Sequence, residues 1–456
     1  MTTPNAPAPT TLKREFKPLL ALTIPILITQ FSQTGMGFID TIMAGQLSPQ
    51  DLAAIAVAVG LWIPIMLLFC GIIFATTPLV AKAVGEKNTE NVVKITQHAL
   101  CLAFALGVIA LLILQFVPLV LHLFDVPETL IPKASLFLHA IGFGMPAVTL
   151  YTALRCYSEA LGFPKPVTLI SIAALFVLVP LNIIFMYGIG DLIPALGSAG
   201  CGFATAILQW LMLATLIAHI KRSKNYQKYE LFRHCVPIQW RNITPIIALG
   251  LPIGLSIFFE VSLFSTAALV LSPLGESVIA AHQVTMSITS ILFMIPMSLA
   301  LALTIRVGHY YGQRFWQGMA QVQILGFIIA TMFAILTMLL IWFARPAIIA
   351  IYTQDPVVTQ TALFLVLFAM AYQLVDAWQV CAAGCLRGMQ DTQIPMWITL
   401  FAYWGVAFPT GFYLVRYSEI GASGIWIGFI VGLSVASILL IWRLFYRFRY
   451  IKNASI

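Results

Sequence analysis

Long apolar segments, separated by short polar ones, dominate the pattern of this chain. Each segment holds about 20 mostly apolar residues, which is enough for an α-helix to cross a bilayer, and we count twelve such segments. The first six are predicted at 18–43, 52–80, 95–120, 131–154, 166–188 and 198–220. The second six are predicted at 243–272, 277–305, 317–343, 357–386, 394–415 and 421–445. The pattern therefore predicts an all-α polytopic membrane protein.

The second half of the chain repeats the first half, at a constant offset of 227 positions through the first two spans and at offsets of 224 and 229 positions at later matches. An ungapped match of this kind indicates a duplicated unit of six helices, and an even number of spans gives both copies the same orientation. We expect an N-terminal lobe at 1–220, a basic cytoplasmic linker at 221–241 and a C-terminal lobe at 242–456. The matching pairs are Leu22 and Leu249, Pro25 and Pro252, Ile26 and Ile253, Phe31 and Phe258, and Val80 and Val307.

Composition agrees with a membrane location, and the distribution of charge orients the spans. Hydrophobic residues make up 61% of the 456 positions and charged residues only 9%, against about 25% charged in soluble domains. With the N-terminus in the cytoplasm, only Lys133, Arg345 and Arg416 of the 24 basic residues fall outside, as the positive-inside rule requires. This topology explains the net charge of +8 without nucleic acid as a partner. It also assigns Arg155 and Arg387 to inner loops, so we expect the acids within helices to lack a basic partner at their depth.

Three acids lie inside apolar segments rather than in loops: Asp40, Glu260 and Asp376. A charged side chain in the hydrocarbon costs at least a few kcal/mol, so such residues usually serve function. A carboxylate removed from water takes up a proton or coordinates a small cation, and one beside aromatic rings also suits an organic cation. Tyr372 precedes Asp376 by one helical turn and shares its helix face. The structural alternative, in which these acids only bond neighbouring helices, stays open at this point.

Enzyme motifs are weak in this sequence. Gly421-Ala-Ser-Gly424 resembles the serine motif of intramembrane proteases, but Gly197-Ser-Ala-Gly200 mirrors it in the first half and no repeated histidine accompanies either. The mirrored motif indicates a site where small residues let helices pack closely. The sequence contains no Walker lysine, phosphate-binding glycine loop or zinc-ligand spacing. We therefore expect no enzymatic activity, no cofactor and no ATPase subunit.

Several motifs together resemble the multidrug and toxic compound extrusion (MATE) family, in particular its bacterial NorM-like branch. The resemblance covers essentially the whole chain. The motifs are Gln33-Thr-Gly-Met-Gly-Phe-Ile-Asp40-Thr-Ile-Met-Ala-Gly45, Phe258-Phe-Glu260, Ala280-Ala-His-Gln-Val284, Ile305-Arg-Val-Gly308 and Leu386-Arg-Gly388.

This resemblance implies two six-helix lobes that each hold a cation site. The amino-lobe site is implied to combine Asp40 with Asn182 and Thr205. The carboxy-lobe site is implied to combine Glu260, Asp376 and Tyr372. Gln379, another polar residue within a helix, joins the drug path that the resemblance implies. The remaining residues of that path are Gln33, Gln283, Phe258, Phe259 and Phe264.

The implied function is antiport. The protein would export organic cations and drugs from the cytoplasm in exchange for Na⁺ or H⁺, with Glu260, Asp376 or Asp40 as the candidate Na⁺ ligands. The implied location is the bacterial inner membrane, with both termini cytoplasmic and membrane lipid as the other partner. The alternative is a lipid-linked saccharide flippase of related architecture, whose path we would expect to carry cationic residues for pyrophosphate.

Overall fold

Every regular element of the described chain is a helix. The computed structural model describes residues 11–117, 121, 127–188, 194–233 and 237–454. In the first half the helices are α1 (Leu12–Leu47), α2 (Pro49–Ile73), α3 (Thr76–Gly85), α4 (Thr89–Phe116), α5 (Ile131–Gly142), α6 (Met145–Ala160), α7 (Lys165–Asn182), a π-helix (Ile183–Tyr187), α8 (Ser198–Arg222) and α9 (Lys224–Gln227). In the second half they are α10 (Trp240–Leu271), a 3₁₀ turn (Ser272–Leu274), α11 (Glu276–Gln313), α12 (Trp316–Tyr352), α13 (Pro356–Gly388), α14 (Gln393–Leu400), a π-helix (Phe401–Ala407), α15 (Phe408–Tyr417) and α16 (Ser423–Asn453).

The number of spans agrees with the sequence. Eleven stretches within the described ranges are long and apolar enough to cross a membrane, and the bent pair α5 and α6 supplies a twelfth. The prediction of an all-α membrane protein with twelve spans is therefore confirmed. The predicted third span ends at 120 and the predicted linker includes 234–236, and these end positions lie outside the described residues.

A few helices begin where a short polar side chain replaces a missing backbone bond. Asp355 accepts hydrogen bonds from the backbone N–H groups of Val357 and Val358 at 2.8 and 2.9 Å, directly before α13. Ser48 caps α2 by accepting from the N–H of Asp51 at 3.0 Å. The first N–H groups of a helix have no partner inside it, so these caps stabilise its start. Hydropathy does not detect such caps, because they are made by polar residues outside the apolar segment.

Three predicted spans are interrupted. The second breaks after α2 at residues 74–75, and the fourth bends by 43° between α5 and α6. The eleventh contains the π-helix Phe401–Ala407 between α14 and α15. A π-helix also ends the fifth span, beginning directly after Asn182. Such local widening of a helix changes the direction of its side chains and is frequent at functional positions.

The described chain divides into two compact units. One comprises Ile28–Gly254, and the other comprises Met1–Leu27 together with Leu255–Ile456. The division passes through α1 and α10, so each of these helices contributes residues to both units. The lobe boundaries 1–220, 221–241 and 242–456 stay a prediction of the repeat.

Each unit has its own apolar core. In the unit Ile28–Gly254, residues of α3, α4, α6, α7 and α8 pack around Tyr157 and Leu216, which are fully buried. In the other unit, Leu19 and Ile26 of α1 pack with residues of α11, α12, α13 and α16. A second cluster there surrounds Trp426. Polar residues within the helices are therefore held among closely packed apolar neighbours.

Glycine permits the close helix contact that the mirrored motif predicts. A Cβ atom on Gly200 would lie 2.1 Å from the carbonyl oxygen of Phe185, and one on Gly424 would lie 2.8 Å from the Leu414 Cβ. Both distances are far shorter than a normal carbon contact. The backbone of α8 thus lies directly against the π-helix Ile183–Tyr187.

The first prediction tests this contact. We expect Gly200→Ala to lower the free energy of unfolding by about 1–3 kcal/mol, because the added methyl group meets backbone rather than a movable side chain. Thermal unfolding of the purified protein in detergent measures the change. The control is Gly37→Ala, where the added Cβ has no atom within 4 Å. Equal melting temperatures for the two variants would contradict the close contact.

Candidate functional site

Asp40 lies on α1 with its carboxylate surrounded by neutral donors. The Nδ2 group of Asn182 donates to one oxygen at 2.7 Å, and the hydroxyl of Thr205 donates to the other at 3.2 Å. The thiol of Cys201 forms a further hydrogen bond with the same carboxylate. Hydrogen bonds to a charged acceptor are stronger than neutral ones. This arrangement therefore stabilises a carboxylate that has little contact with water.

The local sequence explains why these donors meet. Asn182 is the last residue of α7, and Cys201 and Thr205 are one turn apart on α8, so both point to one side. The glycine contact at Gly200 brings α8 against the π-helix Ile183–Tyr187, which begins directly after Asn182. Asn182 is fully buried, and its Oδ1 atom has no hydrogen-bond partner within the described chain. An oxygen of this kind is an additional ligand for a small cation in this cluster.

The second cluster lies in the other unit and contains two carboxylates. Glu260 is on α10, while Tyr372 and Asp376 are one turn apart on α13. The charge of Glu260 acts on Asp376, and the charges of both acids act on Tyr372 and on Tyr403. Two close carboxylates repel each other unless a proton or another cation joins them. The cluster is thus arranged to hold positive charge.

Unpartnered polar atoms occur in the same cluster. Asp376 is 1% exposed, and its Oδ1 atom has no hydrogen-bond partner among the described residues. The hydroxyl of Tyr403 also lacks one there. A buried polar group without a partner costs free energy, so a bound cation with its water would satisfy atoms that the protein leaves unpaired.

Aromatic rings pack beside these carboxylates. Phe264 contacts Tyr372 edge-on, with ring centroids 6.3 Å apart, and Phe429 at 5.1 Å. Trp426 packs edge-on against Tyr372 at 6.0 Å and against His282 at 5.7 Å. The electron-rich faces of such rings attract organic cations.

The other residues of the predicted drug path have varied environments. Phe258 is exposed, while Gln379 is buried and its Oε1 atom lacks a hydrogen-bond partner in the described chain. Gln283 is exposed. The backbone carbonyl of Phe259 accepts a hydrogen bond from Trp404 at 3.3 Å. The side chain of Gln33 accepts from Arg155 at 3.2 Å. The role of these residues in a drug path stays a prediction.

The expectation that the acids within helices lack a basic partner is wrong for Glu260, and neither Arg155 nor Arg387 is a loop residue. Arg155 lies within α6 and is buried rather than part of a loop. The charge of Arg387, in the last turn of α13, acts on Glu260. The pattern of apolar segments places both arginines at the membrane surface because it cannot show which way a long side chain points. The repeated pairs Leu154-Arg155 and Leu386-Arg387 are the signal in the sequence that could have found them.

The fold and the two clusters define a polytopic membrane protein whose helices carry buried acids. The sequence model of the MatE family matches this chain twice, over residues 25–184 and 252–413. The two matches begin 227 positions apart, which is the offset found for the internal repeat. The chain belongs to the MatE family.

Individual relatives agree with this assignment and with a NorM-like branch. The chain is 65% identical over 431 residues to a probable multidrug resistance protein NorM of Acinetobacter baylyi, covering 94% of this chain and 96% of that protein. It is 38% identical over 439 residues to the multidrug resistance protein NorM of Vibrio cholerae, covering 95% and 96%. The crystal structure of the eukaryotic MATE transporter AtDTX14 has the same fold, with a TM-score of 0.87 and 20% identity, covering 98% of this chain and 100% of that one.

The second prediction concerns the donors to Asp40. We expect Thr205→Val to lower the free energy of unfolding by about 1–3 kcal/mol, because the carboxylate loses one of its donors without gaining water. Thermal unfolding in detergent measures the loss. Thr215→Val is the matched control, since Thr215 is an exposed residue on the same helix and its hydroxyl bonds only the carbonyl of Leu211. If Thr205→Val and the control melt at the same temperature, the hydrogen bond from Thr205 to Asp40 contributes nothing to stability.

Proposed function

We propose that this protein is a secondary antiporter that exports organic cations and drugs from the cytoplasm in exchange for Na⁺ or H⁺. We place it in the bacterial inner membrane with both termini in the cytoplasm. Membership of the MatE family supports this function, as do the NorM relatives, which are named for multidrug resistance. The alternative, a lipid-linked saccharide flippase, is not favoured by these relatives.

The observation that carries the proposal is the pair of carboxylates formed by Glu260 and Asp376. The pair carries at most two negative charges, and the charge of Arg387 already acts on Glu260. A drug cation and a coupling ion therefore compete for the negative charge that remains. Binding of one cation therefore favours release of the other. A ligand shifts a conformational equilibrium only by binding one state better than the other. Competition for shared negative charge supplies such a difference without ATP.

We assign Asp40 a separate part in this exchange. Its ligand set, Asn182 and Thr205 with the thiol of Cys201, consists of neutral groups and contains no second acid. A proton or Na⁺ bound there would neutralise the carboxylate and weaken the hydrogen bonds that it accepts. We therefore infer that Asp40 responds to the coupling ion, whereas the aromatic surroundings of Glu260 and Asp376 favour the drug.

Polar and aromatic residues supply the route for the drug in this proposal. Phe258, Phe259 and Phe264 offer apolar and cation-attracting surfaces, and Gln283, Gln379 and Gln33 offer hydrogen bonds. Aromatic rings attract organic cations, so a route of this composition suits the cationic substrates that we propose.

The third prediction tests the carboxylate pair. Glu260→Gln and Asp376→Asn keep the shape of the side chains but cannot change charge, so we expect gradient-driven transport to fall to the level of vesicles without the protein. The measurement is uptake of a fluorescent organic cation into inside-out vesicles whose lumen holds either high Na⁺ or excess H⁺. Comparing the two gradients also identifies the coupling ion. The control is Glu276→Gln, an exposed acid in the first turn of α11. Wild-type transport by either site variant, at equal expression, would contradict the proposal.

The fourth prediction tests orientation. Cysteines replacing Gln46 and Glu419 should react with a membrane-impermeant thiol reagent in intact cells, while those replacing Asn88 and Asn225 should react only after lysis. All four positions are exposed and lie at helix ends or between helices. The unsubstituted protein gives the background from its native cysteines. Labelling at Asn225 in intact cells would overturn the cytoplasmic location of the linker.

A further inference from the structure

Arg155 forms a buried junction between α6 and α1 inside the unit Ile28–Gly254. Its side chain is only 8% exposed, and that of its partner Glu159 only 4%. The Nε atom donates to Glu159 at 2.8 Å, one terminal nitrogen donates to Gln33 at 3.2 Å, and the other donates to Gln30 at 2.9 Å. All three guanidinium nitrogens are thus engaged, one by an acid on α6 and two by amides on α1.

These contacts lie on the same side of α1 as Asp40. Gln30 and Gln33 are neighbours on one face because they are three residues apart. Gln33 and Asp40 are seven residues apart, which is close to two full turns. The hydroxyl of Thr29 adds a hydrogen bond to that of Thr168 at 3.1 Å. The segment of α1 from residue 28 to residue 47 therefore presents one polar side to its unit.

The two sets of contacts on this side differ in their response to charge. The hydrogen bonds from Asn182 and Thr205 to Asp40 weaken when a proton or Na⁺ neutralises the carboxylate. The hydrogen bonds from Arg155 to Gln30 and Gln33 do not change, because guanidinium stays protonated and the amides carry no charge. One set depends on the coupling ion, and the other opposes movement at any ion concentration.

We propose that Arg155 is a positioning residue that holds the 28–47 segment of α1 in place through Gln30 and Gln33, and thereby sets how much coupling ion is needed before this segment moves. The proposal rests on the proposed antiport function and deepens it. Ion binding at Asp40 must overcome the Arg155 contacts. Weakening those contacts should let the segment move at a lower ion concentration.

The second half of the chain carries a related arrangement. Leu386-Arg387 repeats Leu154-Arg155 at an offset of 232 positions, and Glu260 takes the place of Gln33 at the offset of 227 positions. The charge of Arg387 acts on Glu260. In each half, an arginine of the fourth span thus interacts with the corresponding residue of the first span: Arg155 with Gln33, and Arg387 with Glu260. In the first half that residue is the neutral amide Gln33, so its contact with Arg155 does not change when an ion binds.

The experiment removes the α1 side of the junction and leaves the buried ion pair intact. In the double variant Gln30→Leu/Gln33→Leu, Arg155 keeps Glu159 as its partner. The buried positive charge therefore stays neutralised, and the variant should still fold. We expect the coupling-ion concentration that gives half-maximal transport to fall by about tenfold, as expected for losing hydrogen bonds of ordinary net strength. Arg155→Lys keeps the charge but not the planar fork, and we expect a smaller shift in the same direction.

The matched control is Gln115→Leu. Gln115 is half-buried like Gln30 and Gln33, and its side chain bonds the carbonyl of His139 on α5 at 3.2 Å, away from α1. It should leave the half-maximal ion concentration unchanged. An unchanged value in the double variant, or an equal shift in the control, would overturn the positioning role.

A second measurement does not depend on transport. Spin labels at positions 38 on α1 and 176 on α7, both exposed, report the distance between the two helices within one unit. At high pH without Na⁺, the wild type should show one distance and the double variant a second population as well. Identical distributions would refute the role of Arg155 even if transport failed. Absence of gradient-driven transport in the wild type would contradict the antiport proposal instead.

Discussion

A charged side chain that is buried away from water is stabilised by a partner on the protein. This requirement for a partner fixes which helices pack together. Glu15 accepts hydrogen bonds from both Arg306 and the hydroxyl of Tyr310, which ties α1 to α11. Asp391 accepts from Arg443 at 2.8 Å and thereby connects the end of α13 to α16. Apolar contacts alone would allow helices to rotate or slide, because lipid chains are as apolar as the side chains they would replace.

The same requirement gives α1 its particular position. Its first part, up to residue 27, belongs to one unit, where the contacts of Glu15 and the burial of Leu19 and Ile26 hold it. The part from residue 28 onwards belongs to the other unit, where Arg155 and the donors to Asp40 hold it. Pro25 precedes the division by two residues, and a proline inside a helix removes one backbone hydrogen bond. A helix held by separate polar contacts on either side of such a point can bend there.

The sequence predicted the architecture because hydrophobic length and repetition are properties of the chain itself. Twelve apolar segments and an offset of 227 positions between the first spans of the two halves required no knowledge of packing, and the two matches of the family model begin at that offset. Prolines inside the spans, among them Pro146 and Pro180, indicate kinks, and Pro146 lies in the first turn of α6 directly after the bend. The break at residues 74–75 and the two π-helices were not predicted. The bend at Gly144 also depends on close neighbours such as Ala206, whose Cα would lie 2.9 Å from a Cβ atom added to that glycine.

The candidate sites could be predicted only in part, for a related reason. A lone acid in an apolar helix is visible in the sequence, so Asp40, Glu260 and Asp376 stood out. Their partners are ordinary residues far along the chain: Cys201 resembles any small apolar residue, and Tyr403 resembles any aromatic one. The charge pattern assigns Arg155 to a loop because its position near a helix end is also where positive charge accumulates. Only the packed structure shows that its guanidinium points inward.

The two halves use one duplicated scaffold to surround their acids differently. Glu260 occupies the position of Gln33, which in the first half receives a hydrogen bond from Arg155. Asp40 occupies the position of Ala267, which is 1% exposed and packed among apolar residues in the second half. An acid at position 267 would therefore be buried without donors, while the acid at 40 has three. In the second half the acid instead lies in reach of an arginine and a second carboxylate. Both halves thus keep an arginine on the fourth span. In the first half the acid of the first span lies two helical turns further along, at Asp40, and is surrounded by neutral donors. In the second half the acid is Glu260, and charged groups surround it.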